Sequence, residues 1–120
     1  MRFVTWRRRI WIIALPVYWV ALFTATHYPR VRIPGEIPHS DKLVHFGAFG
    51  LLAFLFWRAW QPQNARFVGW AAPLLIAYAG LDEWLQQFFG RFTDFNDFIA
   101  NTAGIVGVLG VLEAMRRFRR

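Results

Sequence analysis

Four long apolar stretches divide this chain, and almost every charge lies between or beyond them. Residues 10–26, 43–60, 67–89 and 98–115 approach the ~20 apolar residues a helix needs to cross a bilayer. Hydrophobic residues make up 57% of the 120 positions and aromatics 19%. A water-soluble domain this small could not hide so much apolar surface. The composition excludes a disordered tail or linker and argues against an ordinary soluble enzyme. The expected fold is all-α: an integral membrane four-helix bundle forming a single domain over residues 1–120.

Charge placement supports this reading. The chain carries a formal net charge of +7, which alone would suggest nucleic acid. Its basic residues, however, crowd the ends of the apolar runs and form no exposed face over a soluble core. No nucleic-acid partner is expected. Arg2, Arg7, Arg8, Arg9, Arg58, Arg66, Arg116, Arg117, Arg119 and Arg120 fall at one set of helix ends; Arg30, Arg32, Lys42 and Arg91 fall at the other. Basic residues concentrate on the cytoplasmic side of membrane proteins, so both termini are expected to be cytoplasmic.

The first stretch, with its basic prefix, has features of a secretory signal. Its end, Phe23-Thr24-Ala25-Thr26, lacks a convincing small-x-small cleavage site, and a retained helix is expected. Gln61-Pro62-Gln63-Asn64 reads as a turn, Gly90 as the residue closing the third helix, and Ser40 and Thr93 as caps of the second and fourth. Gly104, Gly107 and Gly110, like Gly47 and Gly50, predict close helix packing or a homodimer face. The absence of cysteine removes disulfides, thiol nucleophiles and Cys-ligated zinc.

The acidic residues are the most informative. Glu36, Asp41, Asp82, Glu83, Asp94 and Asp97 all fall at the outer helix ends, and Glu113 alone at the inner. Asp41 and His45 are four apart on a helix, where a carboxylate can orient an imidazole. Glu83 reaches Gln86 and Gln87 at i+3 and i+4, and Asp94, Asp97 and Asn101 form one stripe. An ionised Asp near the bilayer centre costs about 2.5–3.5 kcal/mol on insertion scales, so such residues face the bundle interior and pair. Each has a plain structural reading when taken alone: an interfacial histidine, a dipole-complementing aspartate, inter-helix glue. Convergence of several on one side favours function. So many like charges in a low dielectric cannot all stay ionised. A divalent cation, a cationic or hydrogen-bonding ligand, or an acid–base pair would relieve them, and Arg91 could clamp a phosphate or carboxylate. No zinc spacing, nucleophile elbow or phosphate-binding glycine loop is present, and no cofactor beyond such a cation is expected.

Three segments together resemble a known family. Asp41-Lys42-Leu43-Val44-His45 opens the second helix, and Asp82-Glu83-Trp84-Leu85-Gln86 closes the third. Gly90-Arg91-Phe92-Thr93-Asp94-Phe95-Asn96-Asp97 leads into Asn101-Thr102-Ala103-Gly104. In this order, at membrane-helix ends, they are similar to the VanZ-like membrane proteins over roughly Asp41 to Gly107. The resemblance implies a small multipass protein of the bacterial cytoplasmic membrane, related to a protein associated with teicoplanin resistance. It implies Asp41, His45, Glu83, Gln86, Arg91, Asp94, Asp97 and Asn101 as the functional set. Three expectations follow. The chain binds a lipid-linked cell-envelope precursor or a glycopeptide. Alternatively, it is an intramembrane enzyme acting on an envelope lipid. In that case His45 is base or nucleophile, Asp41 orients it, Glu83 donates a proton, and Gln86, Arg91, Asp94, Asp97 and Asn101 bind the substrate. In the third, the polar network only locks helices together.

Overall fold

The computed structural model describes residues 6–28, 40–90 and 93–119, the side chains of Ser40 and Asp41 excepted. Four helices account for nearly all of them: α1 Trp6–His27, α2 Ser40–Trp60, α3 Arg66–Gln86 and α4 Phe95–Phe118. A 3-10 turn, Gln87–Phe89, extends α3. No strand occurs among the described residues, so the fold is all-α.

The helices run up, down, up and down. Arg8 near the start of α1 donates to the Ala59 carbonyl at the end of α2. The ends of α1 and α3 meet through Thr26 and Asp82. The starts of α2 and α4 meet through His45 and Asn101, and Arg116 at the far end of α4 donates to the Gln63 carbonyl. The most extensive packing joins α2 to α4, with α1 against α2 and α3 against α4.

The inward face of each helix changes chemistry along its length. On α3, Ala71, Leu75 and Ala79 are completely buried, and the same stripe continues into Asp82, Glu83 and Gln86. On α4, Asp97 and Asn101 precede Gly104, Ile105 and Leu109. On α2, His45 precedes Phe49, Leu52 and Ala53. The middle of the bundle is therefore hydrophobic and one end has a polar interior. The outward faces are apolar: Ile13, Val17 and Val20 on α1 are each about two-thirds exposed. By length and composition α1, Lys42–Trp60 of α2, and α4 can cross a membrane. Asp82 and Glu83 lower the apolarity of α3, although at 21 residues it matches α2 in length.

Close packing of α2 on α4 needs glycine at Gly104, where an added Cβ would collide with the Phe46 carbonyl oxygen. A Cβ at Gly50 would meet Val108 at 3.1 Å. Of the remaining glycines of these motifs, Gly47, Gly107 and Gly110 face open space, so the expected close packing within the bundle does not occur at them. A three-residue step turns about 300° around a helix, so glycines spaced this way rotate off any one contact face.

The helix ends follow from local chemistry. Gly90 closes the 3-10 turn with φ of 75°, in the left-handed region glycine favours. Asn64 accepts from the Arg66 N–H at 3.0 Å at the start of α3. The cap of α4 is Asp94 rather than Thr93: its carboxylate accepts from the Asn96 N–H at 2.9 Å. A carboxylate at this position also complements the positive end of the helix dipole.

Candidate functional site

All four helices contribute to the polar end. From α1 come Thr26 and His27, from α2 Lys42 and His45, from α3 Tyr78, Asp82, Glu83 and Gln86, and from α4 Asp97 and Asn101, with Asp94 at its cap. Their side chains form two networks.

The first network centres on Asp82, which is wholly buried. Its Oδ1 accepts from the Thr26 hydroxyl at 2.9 Å and from the Tyr78 hydroxyl at 3.2 Å. Its Oδ2 accepts from the Gln86 amide at 3.2 Å. His27 stacks on Phe23 with ring centroids 4.0 Å apart, and its Nδ1 lies 2.7 Å from the Phe23 carbonyl. A carbonyl can only accept, so Nδ1 carries a hydrogen and donates. In the neutral ring Nε2 then holds the lone pair, and this buried atom has no partner among the described residues.

The second network joins α2 to α4. Lys42 donates to both Asp94 and Asp97. It is the sole lysine among the basic residues of the chain, and a compact ammonium with rotatable donors suits a site between two carboxylates. His45 Nδ1 lies 2.9 Å from Asn101 Oδ1, and its Nε2 is 3.5 Å from Asp97 Oδ2. Rotating the Asn101 amide by half a turn would let it donate to Nδ1 and leave Nε2–H facing Asp97. In either orientation one polar atom of Asn101 stays without a partner.

Glu83 stands between the networks, within electrostatic reach of Asp82, Asp97 and His45. Its Oε1 accepts from the Asp94 backbone N–H at 2.6 Å, fixing the start of α4 against the end of α3. Its buried Oε2 accepts from no group among the described residues. Glu83 also lines a cavity of about 450 Å³ with Gly80, Trp84, Phe95 and Phe98.

The sequence-derived residues thus fall into distinct places. His45, Asp94, Asp97 and Asn101 share one network, Gln86 belongs to the Asp82 network, and Glu83 faces the cavity. The described partners of His45 are on α4; the side chain of Asp41 and all of Arg91 lie outside the described residues. Sequence reasoning left out Thr26, His27 and Tyr78, and counted Lys42 only as a charge. The polar pair Thr26-His27 ending an apolar run was the available signal, as was the solitary lysine. Among the described residues, no group of three or more His, Cys, Asp or Glu side chains is placed to hold a metal ion.

Among the described residues, five buried side-chain atoms lack a hydrogen-bond partner: His27 Nε2, Glu83 Oε2, Gln86 Oε1, Asn101 Nδ2 and Thr102 Oγ1. All belong to the polar end. Buried polar groups are seldom left unpaired, because each costs about 1–3 kcal/mol. The concentration of donors and acceptors in one place is what a site for a polar ligand group provides.

A family model described as VanZ/LLP1 matches residues 3–116, nearly the whole chain. The chain belongs to the VanZ/LLP1 family. With three helices long and apolar enough to cross a membrane, it is a VanZ-like membrane protein. No curated protein and no solved structure matches it.

Proposed function

We propose that this VanZ-like protein binds a lipid-linked cell-envelope precursor through the polar end of its bundle, in the cytoplasmic membrane of a bacterium. The observation that carries the reading is Glu83: a buried carboxylate with one oxygen fixed by the Asp94 N–H and the other unpartnered, lining an aromatic cavity. Trp84 and Phe95 beside that cavity are more than half exposed on the outer surface. Such a cavity suits an amphiphile arriving from the bilayer, with its chain along the aromatics and a hydroxyl or amide of its head group donating to Glu83. This favours a lipid-linked ligand over a glycopeptide arriving from water.

A second reading, an enzyme acting on the same lipid, draws support from His27. Its buried Nε2 lone pair has no partner among the described residues and could accept a proton from a substrate that reached it. His45 suits a base less well, because Asn101 and Asp97 engage its two nitrogens.

Mass spectrometry of co-purified lipids and of membrane precursors tests both. Wild type and Glu83→Gln are compared at matched protein level. The binding reading expects a precursor lipid retained by wild type and depleted about tenfold in the variant, consistent with loss of one charge-assisted hydrogen bond. A new lipid mass that depends on wild type indicates catalysis. Identical lipid profiles in the two proteins overturn both readings and leave the network a purely structural role.

A further inference from the structure

The opposite end of the bundle holds a second pocket, of about 350 Å³, between the C-terminal portions of α2 and α4. Phe54, Leu112 and Met115 give it apolar walls, and Arg58, Arg116 and Arg119 give it charge. One acidic residue, Glu113, lies nearby, and it is already engaged. Arg116 grips it with two parallel hydrogen bonds of 2.6 and 3.0 Å, and Arg117 adds a third at 3.0 Å. Neither Arg58 nor Arg119 has a carboxylate partner among the described residues. Arg58 is instead held over the Trp11 ring at 4.9 Å, a contact that orients a guanidinium without neutralising it.

We propose that this pocket binds the head group of an anionic phospholipid. A phosphodiester supplies the negative charge that the arginines lack, and guanidinium matches phosphate geometry in a way ammonium does not. The apolar walls suit the upper part of an acyl chain. Basic pockets between membrane helices are a recurring solution for anionic head groups. Dipole complementation at helix ends accounts for cations here, but not for a pocket that combines an excess of them with apolar walls. The site is separate from the polar end, where carboxylates outnumber the described cation.

Native mass spectrometry of the full chain in neutral detergent tests the assignment. Phosphatidylglycerol, phosphatidylcholine with the same chains, and inorganic phosphate are the three probes. Wild type is expected to retain one phosphatidylglycerol in preference to phosphatidylcholine. The double variant Arg58→Gln/Arg119→Gln should bind it on the order of tenfold more weakly, since each cation near a membrane surface contributes several-fold. Arg58→Lys/Arg119→Lys should recover part of that loss, and Glu83→Gln should leave it unaltered. Equal retention of the two lipids by wild type overturns the proposal, as does undiminished phosphatidylglycerol binding in the glutamine variant. Displacement of the lipid by inorganic phosphate at equal concentration would assign the pocket to free phosphate instead. If the glutamine variant fails to fold, the wild-type lipid comparison and the lysine variant still decide.

Discussion

Removing the carboxylate of Asp82 strands the donors that converge on it. Thr26 keeps a second acceptor in the Phe23 carbonyl, but the Tyr78 hydroxyl and the Gln86 amide have no other described acceptor. An unsatisfied buried donor costs about 1–3 kcal/mol in water-soluble proteins. In membranes an inter-helix hydrogen bond contributes about 1 kcal/mol, because the unfolded chain also finds partners within the bilayer. Asp82→Ala is therefore expected to destabilise the bundle by about 1–3 kcal/mol, read as a lower midpoint in thermal unfolding in detergent. Glu83→Gln keeps the acceptor for the Asp94 N–H and is expected to unfold closer to wild type than Asp82→Ala does. Adjacent residues would then separate cleanly, one structural and one available to a ligand. Equal midpoints for Asp82→Ala and wild type would show that Asp82 does not anchor the network.

Among the elements, α2 and α4 approach most closely, and one glycine decides how closely. A methyl group at Gly104 has no room beside the Phe46 carbonyl, whereas one at Gly107 meets nothing within 4 Å. Gly104→Ala is expected to destabilise by about 1–3 kcal/mol through overpacking, and Gly107→Ala to be neutral, in the same unfolding measurement. Indistinguishable midpoints for the two variants would count against the observed packing. The sequence contained the signal for close approach but not its extent, because a glycine repeat does not state which member faces the neighbour. The polar end shows the same division. That polar residues inside apolar stretches converge follows from the cost of leaving them in lipid, and this was legible. Which residue meets which was not. Spacing along one helix suggests Asp41 for His45, and the Asp41 side chain lies outside the described residues; the described partners, Asn101 and Asp97, come from a helix some fifty residues further on, beyond the reach of any spacing rule. Asp94 shows how one residue can be over-determined: it caps α4, binds Lys42, and offers its N–H to Glu83. A local reading that assigned the cap to Thr93 could not weigh the last two contacts, which depend on tertiary structure.

At the scale of the molecule the open question is how the chain is threaded through the bilayer, and α3 decides it. Among the described residues, α1, α2 and α4 are the helices apolar enough by composition to cross unaided. If α3 lay on the surface, the termini would be on opposite sides; if it crosses, they are on the same side. Three observations favour crossing. At 21 residues and about 1.5 Å per residue, α3 spans the ~30 Å hydrocarbon thickness. Ala71, Leu75 and Ala79 are buried within the bundle and Trp70, Leu74, Leu81 and Trp84 are exposed on the outside, so α3 lacks the polar face of a surface-lying helix. Its two carboxylates sit near one end, inside the bundle, where Thr26, Tyr78, Gln86 and the Asp94 N–H receive them. The penalty that lowers the apolarity of α3 is thus offset by partners on neighbouring helices. Both termini should accordingly face the cytoplasm, the side with most of the arginines. Fusion of a cytoplasm-active reporter and a periplasm-active reporter to each terminus checks this, with only the cytoplasm-active one expected to work at both ends. Termini on opposite sides would mean that α3 does not cross. It would also place Asp82 and Glu83 at a membrane surface, where water could satisfy the Glu83 and Gln86 atoms that lack described partners, and no buried ligand site would exist at that end.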